Sequence, residues 1–254
     1  MECLIVSLDL NCVFINYLKN LKGIDKITIV SPHLPKKTDP SYNIYKGIDC
    51  YTDDYFYSRE EFNQLNIQRR KSWYYQQFLK LKILEKLPYS EIILIDGDSV
   101  FGESLLLKYN NFQLTYIHRK LPSTYINFIE KLNIHPSPYN FITNEMKFDK
   151  KVFLEFLIHI QKSTELKWEL GLAKLINSDS WLSEYQAYGS YYQSKFPDSR
   201  TTAIKSFRRF DLIKDDFLKA LKHYDLIATE NHHKTNMLKK LIITILYKFK
   251  IPLG

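Results

Sequence analysis

Cysteine and glycine are both scarce in this sequence. Its 254 residues include 7 glycines and only 3 cysteines, which are Cys3, Cys12 and Cys50. So few cysteines at such irregular spacing exclude a disulfide framework or a cysteine-rich zinc site, and we expect small buried thiols in a reducing compartment. The sequence also has no apolar run of roughly 18 residues and no signal-peptide pattern at its start. These absences predict a cytoplasmic protein without a membrane span.

Basic residues are in excess. Lys and Arg number 36 against 28 Asp and Glu, which gives a formal net charge of +8. This charge predicts an anionic partner, such as a phosphorylated substrate, an acidic membrane surface or nucleic acid. At 45% hydrophobic and 25% charged residues the chain is ordinary globular material. Its length suits one large α/β domain.

Short β-rich runs alternate with helical patterns through the first half of the chain. Such alternation predicts β-α-β units and a mixed, mostly parallel sheet flanked by helices. We expect one domain over residues 1–235, with a nucleotide-binding half at 1–110 and an acceptor-binding half at 111–235. The predicted strands cover residues 3–9, 26–32, 47–54 and 91–98, and the predicted helices cover residues 12–23, 58–66 and 72–87.

The stretch EIILIDGDSVF, residues 91–101, places two carboxylates directly after an apolar strand pattern. Asp96 and Asp98 would point to the same side of a strand, and Gly97 between them allows close approach of the backbone. Ligands of open α/β sheets bind just beyond the carboxyl ends of strands. Because neighbouring carboxylates repel each other unless a cation joins them, the pair predicts a bound Mg²⁺ or Mn²⁺. The alternative is a pair of solvated turn residues.

Two enzyme classes carry an Asp-x-Asp after an apolar strand. In haloacid-dehalogenase-type phosphatases the first Asp is a covalent nucleophile and the second is a general acid. That motif usually begins its domain, whereas three predicted strands precede Asp96. In GT-A glycosyltransferases the motif lies well inside the domain and holds a metal bound to the donor diphosphate. Position in the chain therefore favours the transferase.

Three further stretches point the same way. SWYYQQFLKLKIL precedes the motif, and YNFITNEMKFDKKVFLEFL and SEYQAYGSYYQSKFPDS follow it. In this order the stretches resemble a family of bacterial GT-A-like sugar transferases of surface-polysaccharide synthesis, over about residues 3–235, with Ser99 where threonine is commoner. The resemblance implies a GT-A-like, Rossmann-like fold. It also implies transfer of a sugar from a nucleotide-sugar donor to a free or lipid-linked glycan acceptor.

The resemblance assigns a metal site as well. It implies that Asp98 contacts the divalent metal and that Asp96 binds the metal or the donor ribose. A third ligand in such folds is often a histidine near the end of the catalytic domain. His232 and His233 follow a predicted strand at residues 224–229 and are the candidates, the alternative being two surface histidines. A cation bridging the diphosphate oxygens would stabilise the charge of the leaving group.

An inverting transferase also needs a carboxylate base beneath the transferred sugar. Glu184 is the candidate, because the stretch from Asp179 predicts a helix N-terminus at a cleft, with Trp181 and Tyr188 as flat surfaces for sugar rings. The alternative is a first-turn glutamate that complements the helix dipole. We expect inverting hexosyl transfer. A retaining enzyme would need no such base, and the sequence leaves the stereochemistry open.

Further residues are candidates for donor binding. Lys80 is expected to help hold the diphosphate and Gln77 to bond the base, the ribose or the motif backbone, although both suit the polar face of an amphipathic helix. Ser7 and Asp9 end the first predicted strand, and Asp53 ends the third. Nucleotide-binding α/β folds often contact the base at such strand ends.

The segment at 236–254 is basic and amphipathic and contains no acidic residue. It predicts an interfacial helix that attaches the protein to the inner face of the cytoplasmic membrane, with a packed or partner-binding helix as the alternative. A nucleic-acid-binding module would explain the charge but not the acidic pair, since carboxylates repel phosphate when no metal intervenes. We therefore expect no nucleic-acid partner.

Overall fold

The structure is a computed structural model that describes residues 1–7, 12–34, 40–111, 113–208 and 216–229. The predictions for Asp9, His232, His233 and the segment at 236–254 lie outside the described residues. Within the described ranges, no helix combines the length and the apolar character needed to cross a bilayer.

The described elements alternate between strands and helices along the chain. The strands are β1 Glu2–Val6, β2 Lys26–Val30, β3 Asp49–Tyr51, β4 Glu91–Asp96, β5 Ser99–Phe101, β6 Leu114–Tyr116, β7 Glu145–Asp149, β8 Thr201–Ala203, β9 Ser206–Arg208 and β10 Leu226–Ala228. The α-helices are α1 Cys12–Lys19, α2 Asp53–Phe56, α3 Arg59–Asn63, α4 Lys71–Lys86, α5 Glu103–Asn111, α6 Ser123–Lys131, α7 Lys150–Thr164, α8 Trp168–Leu175, α9 Glu184–Lys195 and α10 Phe217–Ala220, with a 3₁₀ helix at Pro40–Tyr45.

A five-stranded sheet forms the centre of the molecule. Its order is β3-β2-β1-β4-β7, in which the first four strands are parallel and β7 is antiparallel to β4. The four parallel strands match the four predicted from the sequence. Parallel strands in this order place the carboxyl ends of β1 and β4 side by side, with Val6 paired to Asp96.

Two smaller sheets bring later parts of the chain to the same edge. One has the order β5-β10-β9 and the other pairs β6 with β8. Because β5 begins directly after the Asp96–Asp98 turn and pairs antiparallel with β10, the end of β10 lies beside that turn. The predicted strand at residues 224–229 is therefore confirmed as β10.

Alternate residues of the central strands face opposite sides of the sheet, and each side has its own hydrophobic core. Val6 and Leu94 pack on one side with α4, α7 and α9. Ile93 and Ile95 pack on the other side with α1 and α5. Asp96 lies two positions beyond Leu94, so its side chain faces α4 and α9. The alternation of side chains along β4 thus determines which helices contact this carboxylate.

Helix starts agree with the sequence in some places and differ in others. The helix predicted from residue 58 begins there, since Ser58 caps α3 in a capping box with Glu61. The helix predicted to begin near Asp179 begins later, at Glu184, where the Ser183 hydroxyl accepts a hydrogen bond from the backbone of Gln186. A serine at the cap position provides an acceptor for these first backbone N–H groups.

Candidate active site

Asp96 lies at the carboxyl edge of the central sheet, where the parallel strands β1 and β4 end together. Its side chain is 24% exposed, and its backbone N–H donates to the Asn144 carbonyl oxygen at 2.9 Å. Ser7 follows β1 at the same edge and is buried. The structure therefore brings these two predicted donor-site residues together, at the edge where open α/β sheets bind ligands.

Gly97 is required by the packing of this edge. Its backbone N–H donates to the Val6 carbonyl oxygen at 3.3 Å, which draws the turn against β1. A Cβ atom at position 97 would overlap the Cβ and Oγ of Ser7. Only glycine lets the chain turn at this point, because any side chain would collide with the neighbouring strand.

Asp98 is held through its main chain. Its carbonyl oxygen accepts hydrogen bonds from both the backbone N–H of Thr229, at 3.0 Å, and the Thr229 hydroxyl, at 3.1 Å. The Ser99 hydroxyl donates to its carboxylate at 3.2 Å. Asp98 is partly exposed. The end of β10 therefore fixes the turn that carries the second motif carboxylate.

Lys80 joins two carboxylates beneath the edge of the sheet. Its ammonium group, on α4, donates to the Glu184 carboxylate at 2.6 Å and forms an ion pair with Asp96 as well. Lys80 and Glu184 are each only 1% exposed. A buried ammonium ion is stable only when it is paired, and the two carboxylates provide that pairing. The sequence predicts diphosphate as the partner of Lys80, whereas the structure shows these two acids.

The protonation equilibria reflect this burial. Burial by itself would lower the pKa of Lys80, but the Asp96 and Glu184 carboxylates outweigh it and hold the pKa above its ordinary value. Burial raises the pKa of Glu184, the Lys80 charge opposes this, and the Asp96 charge adds to it. Lys80 is therefore a cation at neutral pH, and its charge opposes the rise that burial causes in the pKa of Glu184.

Tyr185 is a site residue that the sequence analysis did not identify. Its hydroxyl donates to Asp96 Oδ1 at 3.0 Å and accepts from Lys80 at 3.4 Å. Burial raises the pKa of this hydroxyl well above the ordinary tyrosine value, so the proton stays available for donation to Asp96. The sequence offered one indication of this role, which is that Tyr185 directly follows the candidate residue Glu184. Both described hydrogen bonds of the Asp96 carboxylate thus end on one oxygen, Oδ1.

Gln77 and Glu184 form a second link between α4 and α9. The Gln77 side-chain oxygen accepts a hydrogen bond from the backbone N–H of Glu184 at 3.4 Å, and Gln77 is 4% exposed. Gln76, one position earlier, donates to the Val6 carbonyl oxygen at 3.4 Å. This face of α4 is therefore partly polar, because its glutamines hydrogen-bond to the end of β1 and to the start of α9.

Asp53 lies at the same sheet edge but in a closed setting. It begins α2 directly after β3, and its carboxylate accepts a hydrogen bond from the Tyr75 hydroxyl at 3.0 Å. Asp53 is 4% exposed. These contacts attach α2 to α4, and they give the carboxylate a structural partner within the protein.

The two aromatic residues predicted to stack on sugars have different environments. Tyr188 is fully buried, with its ring 4.4 Å from the Phe148 ring, so this part of the prediction is wrong. Helical spacing places residue 188 one turn after Glu184, on the face of α9 that packs into the core. Trp181 precedes α9 and is partly exposed, with the Arg70 guanidinium 4.6 Å from the centre of its ring.

The oxygen donors at this edge suit a hard divalent cation. Asp96 and Asp98 are both partly exposed. Among the described residues, no group of three or more His, Cys, Asp or Glu side chains is arranged to hold a metal ion. Mg²⁺ typically uses one or two carboxylates and takes its remaining ligands from water and substrate phosphate. A two-carboxylate donor set fits that mode of binding.

Two alignments with solved structures agree with this architecture, and a third is weaker. The crystal structure of the galactosyltransferase LgtC in complex with donor and acceptor sugar analogs aligns with a TM-score of 0.52 and 8% identity, covering 98% of this chain and 96% of LgtC. An active-site mutant of LgtC aligns with a TM-score of 0.50 and 9% identity, covering 97% and 95%. The apo form of the glycosyltransferase GlyE from Streptococcus pneumoniae TIGR4 aligns with a TM-score of 0.43 and 11% identity, covering 99% and 60%.

The sequence matches no protein-family model and no curated protein. The two LgtC alignments span nearly the whole of both chains, so the likeness concerns the complete arrangement of sheet and helices. The chain has the GT-A fold, with a mixed, mostly parallel central sheet flanked by helices.

Proposed function

We propose that this protein is a metal-dependent glycosyltransferase that moves a sugar from a nucleotide-sugar donor to a glycan acceptor of surface-polysaccharide synthesis. The observation that carries the proposal is the Asp96–Gly97–Asp98 turn at the carboxyl edge of a GT-A sheet. Ser7 forces a glycine between the two acids, and Lys80 with Tyr185 fixes the first of them. A solvated surface turn would need none of these buried contacts.

Asp96 and Asp98 are the residues that would hold the divalent cation. When bound, Mn²⁺ or Mg²⁺ would neutralise the charge that develops on the departing nucleoside diphosphate. His232 and His233 remain the proposed candidates for a third ligand. They follow Thr229 by three and four residues, and Thr229 hydrogen-bonds to Asp98. An extended chain spans at most about 11 Å over three residues, so its length permits the contact.

Lys80 and Tyr185 orient Asp96 in this proposal. Both donate to Oδ1, and these two hydrogen bonds restrict the rotation of the carboxylate. Fixing a ligand in advance avoids the entropic cost of ordering it when the metal and donor bind. Ser7, at the end of the neighbouring strand, contributes a surface for the donor nucleotide.

For Glu184, the described contacts support a positioning role. A base that removes a proton from an acceptor hydroxyl must reach that hydroxyl, whereas Glu184 is 1% exposed and is bound to Lys80. It balances the charge of Lys80 and thereby acts on Asp96. The catalytic base role and the inverting course stay predictions, and the anomeric configuration of the product, read by NMR, decides the second.

A thermal-shift experiment tests the proposal. The protein is heated with UDP, GDP, ADP or CMP, each with and without Mn²⁺. We expect one nucleotide to raise the unfolding midpoint only when Mn²⁺ is present, because a ligand that binds only the folded state stabilises it by about 2.7 kcal/mol at a hundredfold excess over its Kd. Asp98→Asn should abolish the shift.

The matched control is Asp54→Asn, which removes an exposed carboxylate on α2. It should leave the shift intact. Stabilisation by every nucleotide without metal, or an unchanged shift in Asp98→Asn, would contradict the proposal. The membrane surface as a partner through residues 236–254 stays a separate prediction, to be tested by sedimentation with anionic vesicles.

A further inference from the structure

Arg70 forms part of an aromatic cluster at the start of α4. Its guanidinium lies 4.6 Å from the centre of the Trp181 ring and 5.3 Å from that of Trp73. Tyr125, on α6, contacts the edge of Trp181 at 6.0 Å between ring centres. Arg70 is exposed and the three rings are partly exposed. Side chains from α4, α6 and the segment before α9 therefore converge on one surface.

This cluster lies on the ligand side of the sheet. α4 ends shortly before β4 begins, so it runs towards the amino edge of the sheet, and Lys80 within it contacts Asp96 at the carboxyl edge. The residues of α4 before Lys80 therefore lie on the far side of Asp96. Arg70 is ten residues earlier, a displacement of about 15 Å along a helix. That displacement places Arg70 beyond the carboxyl edge of the sheet, on the side where ligands of open α/β sheets bind.

The cluster also lies next to the buried acid of the site. Trp181 precedes Glu184 by three residues. Burial raises the pKa of the Tyr125 hydroxyl, the Arg70 charge lowers it, and the Glu184 charge raises it. The backbone N–H of Trp181 donates to the Thr124 carbonyl oxygen at 3.0 Å, which holds α6 beside the segment that leads to Glu184. The cluster and the contacts of Lys80 with Asp96 and Glu184 therefore belong to one region of the protein.

The charge of Arg70 is not balanced by a carboxylate within the described part of the chain. No described carboxylate forms an ion pair with it, and its side chain contacts the faces of Trp73 and Trp181 and the Tyr125 hydroxyl. Its backbone has a positive φ of 49°, a conformation that arginine adopts at some energetic cost. Arg69 and Lys71 on either side are exposed as well and add positive charge.

We propose that Arg70, Trp181, Trp73 and Tyr125 form an acceptor subsite for an anionic sugar, one that carries a carboxylate or a phosphate. The planar guanidinium presents two N–H donors in the geometry that carboxylate and phosphate oxygens accept. The indole and phenol rings provide flat faces for the apolar side of a sugar ring. This inference rests on the proposed function, because it names the substrate class of the same active site.

Direct binding of simple sugars tests the subsite without nucleotide or turnover. Methyl glucuronide supplies the carboxylate, glucose 6-phosphate supplies the phosphate and methyl glucoside is the neutral probe. Each is titrated against the full-length protein by calorimetry and tryptophan fluorescence. We expect saturable binding of at least one anionic probe at millimolar concentration and weaker or no binding of the neutral one. The tighter-bound anion identifies the group that the subsite prefers.

Arg69→Gln provides the matched control for Arg70→Gln, since it removes an equal, exposed and adjacent charge. We expect Arg70→Gln to weaken binding of the anionic probe about tenfold or more, because a hydrogen bond to a charged group is lost. Arg69→Gln should change it less than about twofold. Arg70→Lys keeps the positive charge but lacks the planar guanidinium, so its loss of affinity should lie between those of Arg69→Gln and Arg70→Gln. Unchanged unfolding midpoints would confirm that all three variants fold.

Three results would overturn the subsite. They are equal affinity for methyl glucoside and the anionic probes, equal losses in Arg69→Gln and Arg70→Gln, and no saturable binding of either anion. A failure of the nucleotide and Mn²⁺ experiment would leave this binding result unaffected. The two proposals can therefore fail separately.

Discussion

The ammonium nitrogen of Lys80 lies 2.6 Å from Oε1 of Glu184, and both groups are fully buried. The two residues come from α4 and α9, which are far apart in the chain, and the same ammonium pairs with Asp96 on β4. One side chain therefore connects the strand that carries the motif to both helices that cover it. The candidate site depends on this connection for its shape.

Replacing Lys80 with methionine should destabilise the protein by about 3 to 5 kcal/mol, because the substitution leaves the buried Glu184 carboxylate without its cation. Urea unfolding measures the change. Lys71→Met, at an exposed position of the same helix, should change stability by less than about 0.5 kcal/mol. The double variant Lys80→Met with Glu184→Gln should recover part of the loss. Additive losses would show that the pair is not coupled.

A side chain at position 97 should distort the motif turn. Gly97→Ala places a Cβ inside the Ser7 side chain, so we expect a loss of stability of about 1 to 3 kcal/mol and loss of nucleotide binding. Ser7→Gly in the same chain removes the obstructing atoms and should restore part of both. Gly102→Ala, whose added Cβ would meet its neighbours at ordinary contact distance, serves as the control. Equal behaviour of the two alanine variants would contradict this account.

Kinetics of Glu184→Gln separate a positioning role from a base role. General base catalysis contributes about 10² to 10⁴ in rate, so loss of a base would reduce kcat by that factor and alter its pH profile. If Glu184 acts through Lys80, the main change should instead be weaker binding of donor and metal, with kcat reduced less than about tenfold. Steady-state kinetics over a pH series distinguishes these outcomes.

Stability should fall as pH rises towards neutrality because of Glu145. This residue is fully buried on β7, and burial raises its pKa to about 7, although hydrogen bonds from Tyr109 and Thr115 oppose the rise. Above the ordinary value of 4.5 the unfolded chain loses this proton while the folded chain keeps it. The contribution of protonated Glu145 to the free energy of unfolding is therefore fully present below about pH 4.5 and is lost as pH rises to about 7.

The slope from this one group approaches about 1.4 kcal/mol per pH unit at most. Glu145→Gln should remove that component. The unfolding free energy of the variant minus that of the parent should therefore increase with pH between 4.5 and 7. Glu103→Gln, at an exposed position on α5, should leave the profile unchanged. Denaturant unfolding at several pH values measures both variants. Parallel curves for Glu145→Gln and the parent would contradict the prediction.

The local elements of the first half could be predicted because their signals are contiguous. Short apolar runs predict β1, β2 and β4, and the helix predicted from residue 58 begins as α3 with Ser58 as its cap. The position of Asp96 at a sheet edge also follows, since ligand sites of parallel sheets occur at the carboxyl ends of strands. These inferences use only neighbouring residues and general rules of sheet geometry.

Contacts between distant segments could not be predicted in the same way. The sequence shows Lys80 as one lysine of a helix, and its pairing with Glu184 depends on how α4 and α9 cross. The prediction of an exposed Tyr188 ring was wrong because packing against Phe148 and its neighbours sets the orientation of α9 about its axis. The sequence predicts close approach of the backbone at Gly97, but only the position of Ser7 shows which atoms exclude a side chain there.

The order of residues along the chain alone determined the parallel strands, the acidic turn at the end of β4 and the cationic character of the protein, since each depends on local period or on composition. Tertiary structure decided which charges meet. It buried Lys80 between two acids, turned Tyr185 towards Asp96 and placed Arg70 against Trp181. The physical reason is that burial and electrostatic pairing depend on distances between helices, which no stretch of neighbouring residues specifies.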